Sequence, residues 1–126
     1  MLRLLFTKLS LPLLCLTVTC ALSGCGHTQR VGADRTLSVA LTEYRLNPQS
    51  ARAGAGTLTI LVRNYGRLTH NLVISMNGQP AGSTRPLAPG ESSTITVYLA
   101  VGHYQLASTI LSDEALGAYG TLTVTS

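Results

Sequence analysis

Cysteine and histidine are the side chains of this 126-residue chain best suited to nucleophilic or metal chemistry. A thiolate is both a nucleophile and a soft metal ligand, and an imidazole binds copper or zinc. Cys15 and Cys20 lie within an apolar run, and Cys25 follows shortly after its end. The histidines are His27, His70 and His103. The chemistry open to the chain depends on which of these residues the mature protein keeps, and on the elements that position them.

The first 24 residues have the layout of an export signal. Met1 to Lys8 carries two positive charges, and Leu9 to Leu22 is an apolar run too short for a typical membrane-spanning helix. Ser23-Gly24-Cys25 then resembles a bacterial lipobox, where a signal peptidase cuts before a cysteine that receives diacylglycerol. We expect a signal peptide over 1–24 and an extracytoplasmic protein anchored to a bacterial membrane through Cys25. The alternatives are an ordinary signal peptide with an incidental cysteine, or an uncut anchor.

Removal of this signal leaves a domain without a free thiol. Cys15 and Cys20 are discarded and Cys25 is acylated, so no disulfide and no thiolate ligand remain. Residues 26–35 are polar and have no apolar period, which predicts a flexible tether over 25–35, including the lipidated cysteine. Residues 36–126 are then one small folded domain.

Period-two alternation recurs through this domain, which is rich in threonine, serine, valine, leucine and glycine. Leu37, Val39 and Leu41 alternate with smaller or polar residues, and later stretches repeat the pattern. Turn sequences such as Asn77-Gly78 separate these stretches. About seven to eight short strands at this spacing predict an all-β, two-sheet antiparallel Greek-key sandwich.

One segment, Ser112 to Gly117, breaks the alternation. A serine that could cap a helix is followed by two acidic residues, and a glycine closes the segment. This composition predicts a single short helical turn near 112–117, with an irregular loop as the alternative.

Three stretches, in this order, resemble the cupredoxin family. The first is Gly56 to Gly66, which ends in Asn-Tyr-Gly and is followed by His70-Asn71. The second is Leu87 to Glu91 before an alternating strand, and the third combines Gly102 to Tyr104 with the last strand, Gly117 to Val124. The resemblance covers nearly all of the predicted domain. It implies a cupredoxin-like fold, the fold of the blue copper proteins.

The copper ligands that the resemblance implies are largely absent. The family binds copper through two histidines, a cysteine thiolate and a weak axial methionine. His70 matches the first histidine. Ser108 stands at the cysteine position, Asp113 at that of the second histidine, and Ala118 at that of the methionine. Because a serine hydroxyl is neutral and hard near pH 7, we expect no blue copper centre and predict no cofactor.

The resemblance brings His70, Ser108 and Asp113 to one end of the sandwich, where three arrangements are open. In the first, the three side chains and Asn71 satisfy one another by hydrogen bonds. In the second, His70 with Asp113 or Glu114 holds Cu(II) or Zn(II) loosely. A Ser-His-Asp hydrolase is a remote third arrangement, because no nucleophile elbow surrounds Ser108. His103 is expected to be exposed at the opposite end.

Apolar residues of the last loop surround this end of the predicted domain. They form either a docking patch or part of the core: Ile110, Leu111, Ala115, Leu116 and Tyr119. The arginines are scattered without a basic run, so we expect no nucleic-acid binding. The leading interpretation is a lipid-anchored, non-enzymatic, non-redox binding or scaffolding module with a protein partner in the cell envelope. The alternatives are a metal-binding or metal-delivery protein that uses His70 and, more remotely, the small hydrolase.

Overall fold

The computed structural model describes residues 26–126, so the predicted signal peptide and Cys25 lie outside the described residues. Within this range the chain forms ten strands and no helix. No helix able to cross a membrane is found in residues 26–126. The strands are β1 (Thr28–Arg30), β2 (Thr36–Thr42), β3 (Arg45–Asn47), β4 (Ser50–Gly54), β5 (Gly56–Asn64), β6 (Val73–Met76), β7 (Gln79–Ser83), β8 (Ser92–Leu99), β9 (Gly102–Ala107) and β10 (Tyr119–Thr125).

The strands form two sheets, which confirms the predicted all-β sandwich. One sheet has six strands in the order β1-β4-β10-β9-β6-β7, and the other has four in the order β3-β2-β5-β8. Two details of the prediction are corrected. Ten strands are present rather than seven or eight, because three-residue strands such as β1 and β3 are too short to show alternation. The sheets are mixed rather than purely antiparallel, since β2 pairs with β5, and β4 with β1 and β10, in parallel.

The alternating apolar residues of both sheets meet in one core. Leu37, Val39 and Leu41 of β2 lie beside Ile60 and Val62 of β5, and all five are almost completely buried. Each such side chain contributes about 1.5–3 kcal/mol when it leaves water. The six-stranded sheet supplies the opposing layer of the core: Ala51, Ala53, Ile74, Tyr104, Leu106, Leu122 and Val124. This core fixes the strands whose ends carry the polar residues discussed below.

The stretch predicted as a tether is partly incorporated into the sheet. Thr28 to Arg30 forms β1, which pairs in parallel with Ser50 to Arg52 of β4. Val31 then donates its amide to the carbonyl of Arg52 at 2.9 Å and packs against the core. Strand structure is therefore present well before residue 36.

The segment near 112–117 forms hydrogen-bonded turns rather than a helix. The amide of Leu116 donates to the carbonyl of Ser112 at 3.0 Å, and that of Gly117 donates to Glu114 at 3.1 Å. Gly117 has a φ of 121°, which favours glycine. A Cβ at this position would stand only 2.9 Å from the carbonyl oxygen of Tyr44. The last loop therefore turns tightly against the turn that follows β2.

Strand direction determines which loops meet at the site. Because β2 and β5 are parallel, their carboxyl ends lie at the same edge of the sheet, with Leu41 paired to Asn64. In the other sheet, β6 and β9 are antiparallel, with Val73 paired to Ala107. The residues just before β6 and just after β9 are therefore neighbours, and these include His70 and Ser108.

Candidate functional site

His70 is held rigidly in the loop between β5 and β6. Its amide donates to the carbonyl of Leu87 at 3.1 Å, and the amide of Leu87 donates back at 2.7 Å. Asn64 fixes the preceding turn, since its side-chain amide donates to the carbonyls of Leu68 and Leu87 and its Oδ1 accepts from the amide of Gly66. The imidazole ring is fully buried. These bonds hold the backbone that carries the imidazole ring.

Asp113 joins the three residues singled out in the sequence. Its Oδ2 lies 2.7 Å from Nδ1 of His70 and accepts a 2.6 Å hydrogen bond from the hydroxyl of Ser108. All three side chains are buried. The backbone closes the same loop, because Ala118 donates to the carbonyl of Asp113 and accepts from the amide of Ser108, both at 2.9 Å. One carboxylate oxygen thus links the loop that follows β9 to the loop between β5 and β6.

Asn71 extends this cluster toward the surface. Its amide donates to the Ser108 hydroxyl at 3.3 Å, and its Oδ1 accepts from the amide of Thr109 at 2.7 Å. Its side-chain nitrogen donates to the hydroxyl of Thr109 at 3.0 Å. In the described part of the chain, every buried side-chain nitrogen or oxygen has a hydrogen-bond partner. The buried polar groups therefore satisfy one another, as the first of the three arrangements required.

Glu43 is a fourth participant that the sequence did not reveal. It follows β2, and its Oε1 lies 3.4 Å from Nε2 of His70. The same oxygen accepts hydrogen bonds from the amides of Leu68 and Arg67. These backbone bonds, first from Leu68 and then from Arg67, lower the pKa of Glu43 to about 2 against a smaller opposing effect of desolvation. Only the parallel pairing of β2 with β5, which the structure shows, places Glu43 beside His70.

The donor set does not fit a blue copper centre. The positions that the resemblance assigns to cysteine, histidine and methionine hold Ser108, Asp113 and Ala118, so neither a thiolate nor a thioether faces His70. His70 and Asp113 are joined at hydrogen-bond distance, which leaves no space for an ion between them as placed. Glu43 and Asp113 contact opposite nitrogens of the ring rather than a common point. No group of three or more histidine, cysteine or acidic residues placed to hold a metal occurs in residues 26–126.

The order of the contacts also differs from that of a Ser-His-Asp triad. In a triad the imidazole lies between the serine and the carboxylate, so that it can take the serine proton. Here the carboxylate of Asp113 lies between His70 and Ser108, and the serine hydroxyl donates to it. Both nitrogens of His70 face carboxylates. Ser108 therefore does not contact an imidazole that could remove its proton.

The apolar residues around this end are mostly exposed rather than part of the core. Leu111 is 98% exposed, Leu116 is 56% exposed and Tyr119 is 53% exposed. Of the two alternatives for this loop, core packing is therefore wrong for these three side chains. His103 is exposed at the far end of β9, as expected, and pairs across the sheet with Thr123.

The fold and the replaced ligands together define a cupredoxin-like β-sandwich. Among solved structures, the chain is similar to dithionite-reduced auracyanin from the photosynthetic bacterium Roseiflexus castenholzii, with 24% identity and a TM-score of 0.68 over 75% of this chain and 100% of that one. It is also similar to auracyanin A, a blue copper protein from Chloroflexus aurantiacus, with 16% identity and a TM-score of 0.63 over 76% and 99% of the two chains. Rusticyanin from Thiobacillus ferrooxidans gives 13% identity and a TM-score of 0.66 over 78% and 82%.

These similarities confirm the fold that the three sequence stretches implied. No family model and no curated protein matches the sequence. At such low identities the neighbours support the architecture alone, and the function has to be argued from the residues of this chain.

Proposed function

We propose that the protein is a membrane-anchored, extracytoplasmic lipoprotein whose cupredoxin-like domain serves as a non-redox binding or scaffolding module. The observation that carries this proposal is the closed cluster around Asp113. In it, a carboxylate accepts from His70 and Ser108 at 2.7 and 2.6 Å, in the part of the fold where the resemblance leads one to expect copper ligands.

The chemistry of this cluster argues for a structural rather than a redox role. Electron transfer by copper in this fold uses a soft thiolate, and the mature chain contains none after Cys25. A cation that used Nδ1 of His70 would have to break a buried hydrogen bond to Asp113. Groups of this kind lose about 1–3 kcal/mol when left unpaired. What remains accessible at this end is the apolar surface of the loops, which favours contact with another molecule or with a lipid surface.

Copper and zinc titration of the purified processed protein tests the non-redox assignment. Isothermal calorimetry with Cu(II) and with Zn(II), followed by voltammetry, should reveal no tight stoichiometric site and no reversible one-electron couple. The matched variant is His70→Ala. A redox-active copper site that this variant abolishes would overturn the proposal. Stoichiometric binding without a redox couple, also lost in His70→Ala, would support the metal-binding alternative instead.

A gain-of-function variant tests the alignment of the ligand positions. Ser108→Cys, Asp113→His and Ala118→Met restore the ligand types that the resemblance implies around His70. With copper, this triple variant should acquire an intense visible absorption from thiolate-to-copper charge transfer, which a further His70→Ala change removes. A colourless, folded triple variant would contradict the assignment of these positions.

The lipid anchor is tested separately. The full-length protein is expressed in a bacterium that is fed an alkyne-labelled fatty acid. It should carry the label and should enter the detergent phase in a detergent-phase separation. Cys25→Ser should lose both properties, whereas Cys20→Ser, within the predicted signal, should keep them. Label retained in Cys25→Ser would refute lipidation at that residue.

A further inference from the structure

The exposed apolar side chains of the domain are concentrated at one end. Nine large hydrophobic residues are exposed in the described part of the chain, and six of them lie in or directly beside the loops around the Asp113 cluster. We call these six the apolar rim: Tyr44, Tyr65, Leu68, Leu111, Leu116 and Tyr119. The other three are Leu61 on a sheet face, and Tyr98 and Val101 toward the opposite end. Such a concentration marks a surface that another phase or molecule covers.

Contacts between the loops bring the rim together. Gly117 packs against the carbonyl of Tyr44, which joins the last loop to the turn after β2. The amide of Leu68 donates to Glu43, the residue next to Tyr44. Leu111 has a φ of 52°, a conformation that leucine rarely adopts, and its side chain is almost fully exposed. The rim therefore spans three loops that the buried cluster holds in fixed positions.

The N-terminal end of the described chain emerges at this same end of the sandwich. β1 runs parallel to β4 and β10, and β10 starts at the rim residue Tyr119. Gly26 and His27 line one surface groove together with Arg45 and Tyr65. The described chain therefore begins, at Gly26, at the rim end of the domain.

We propose that the apolar rim lies against the lipid surface, with Leu111 and Leu116 entering the interface. This proposal rests on the lipid anchor proposed above, because acylation of Cys25 would hold this end of the domain within a few residues of the bilayer. Tyrosine favours the level of the headgroups, where its ring is half apolar and its hydroxyl is wet. The domain would then present its sheet faces and its far end, rather than the cluster end, to protein partners.

The charges near the rim fit an anionic headgroup layer. Arg45 and Arg67 are exposed, and the guanidinium of Arg63 lies 5.1 Å from the ring centre of Tyr65. Arginine beside tyrosine and leucine is typical of surfaces that rest on anionic lipids.

Site-specific fluorescence on the acylated protein tests this orientation. Once the signal is removed and Cys25 is acylated, a new cysteine is the only free thiol, so Leu111→Cys and Val101→Cys can each be labelled with an environment-sensitive fluorophore. The labelled proteins are reconstituted into phosphatidylethanolamine and phosphatidylglycerol vesicles that contain a nitroxide lipid. Both positions are exposed, and Val101 is the matched control at the opposite end.

We expect the label at position 111 to be quenched several-fold more than the label at 101, with a blue-shifted emission. Equal quenching at both positions, or stronger quenching at 101, would overturn the proposal. Self-quenching at 111 without quenching by the nitroxide lipid would also overturn it and would indicate a second copy of the chain on this face. Wild-type protein that takes up the label would refute acylation of Cys25, which separates failure of the anchor from failure of the orientation.

Discussion

Replacement of Asp113 by alanine should destabilise the domain more than any other single change at the cluster. The carboxylate accepts from His70 Nδ1 at 2.7 Å and from Ser108 at 2.6 Å, both buried. Hydrogen bonds to a charged group contribute about 1.5–3 kcal/mol each. In the variant Ser108 keeps Asn71 as a second hydrogen-bond partner at 3.3 Å, so the loss of its bond to Asp113 should cost an amount at the lower end of that range. The expected loss is about 3–4 kcal/mol, similar to other broken buried pairs.

That loss is a large part of the total for a small domain, whose free energy of unfolding is typically about 5–15 kcal/mol. At roughly 4–8 °C per kcal/mol, Tm should fall by at least about 12 °C. Urea unfolding followed by circular dichroism measures the change, and the m-value should stay constant if the same surface is exposed. Asp113→Asn keeps the volume and one carbonyl acceptor, so it should lose about half as much.

The matched control is Glu114→Ala, which removes the adjacent acid. Glu114 is exposed and makes one surface hydrogen bond, to Gln105, so its loss should change stability by less than about 0.5 kcal/mol. Ser108→Ala combined with Asp113→Ala should cost less than the sum of the two single changes, because both remove the same bond. If Asp113→Ala stayed within about 1 kcal/mol of wild type, Asp113 would not be the group that holds this end together.

Three further variants test other parts of the structure. Because folding lowers the pKa of Glu43 from 4.5 to about 2, its contribution to stability is fully present above about pH 4.5 and is lost as the pH falls toward 2. Glu43→Gln should therefore flatten the fall of Tm across this window, and an unchanged slope would contradict the role assigned to its backbone bonds. Gly117→Ala should cost about 1–3 kcal/mol by urea unfolding, more than Gly78→Ala, since only the former Cβ meets backbone, at 2.9 Å. Asn64→Ala removes three hydrogen bonds, two donated to the carbonyls of Leu68 and Leu87 and one accepted from the amide of Gly66, and should cost roughly 2–4 kcal/mol in the same assay; a loss below about 1 kcal/mol would contradict this.

The sequence predicts the cluster well because its members are tied to recognisable strand ends. The alternation of apolar residues predicts the sandwich, and the cupredoxin resemblance brings His70, Ser108 and Asp113 to one end. Their contact distances of 2.6 and 2.7 Å agree with that expectation. Each residue lies in a stretch whose neighbours carry a pattern, such as the Asn-Tyr-Gly before His70.

Glu43 and β1 could not be predicted in the same way. Alternation records which residues face the core but not the direction in which a strand runs, so Leu37 to Leu41 look the same in a parallel or an antiparallel pair. Without the parallel pairing of β2 with β5, nothing in the sequence places Glu43 beside His70. β1 has only three residues, and all of them are exposed. Its pairing with β4 cannot be predicted from so short a polar segment, because the segment has no alternating apolar residues.

The geometry of His70 gives the strongest argument for how this end of the fold is held. A metal ion organises surrounding loops by taking lone pairs, so a ligating nitrogen must carry no proton. A carboxylate organises them by accepting hydrogen bonds, and because an ionised Asp113 has only acceptor oxygens, Nδ1 of His70 is the donor of the 2.7 Å bond to it. The two modes demand opposite protonation of the same ring nitrogen. With Asp113 present, the loops around His70 are fixed without an ion, and removal of this carboxylate is the change that frees Nδ1 of His70 for a metal.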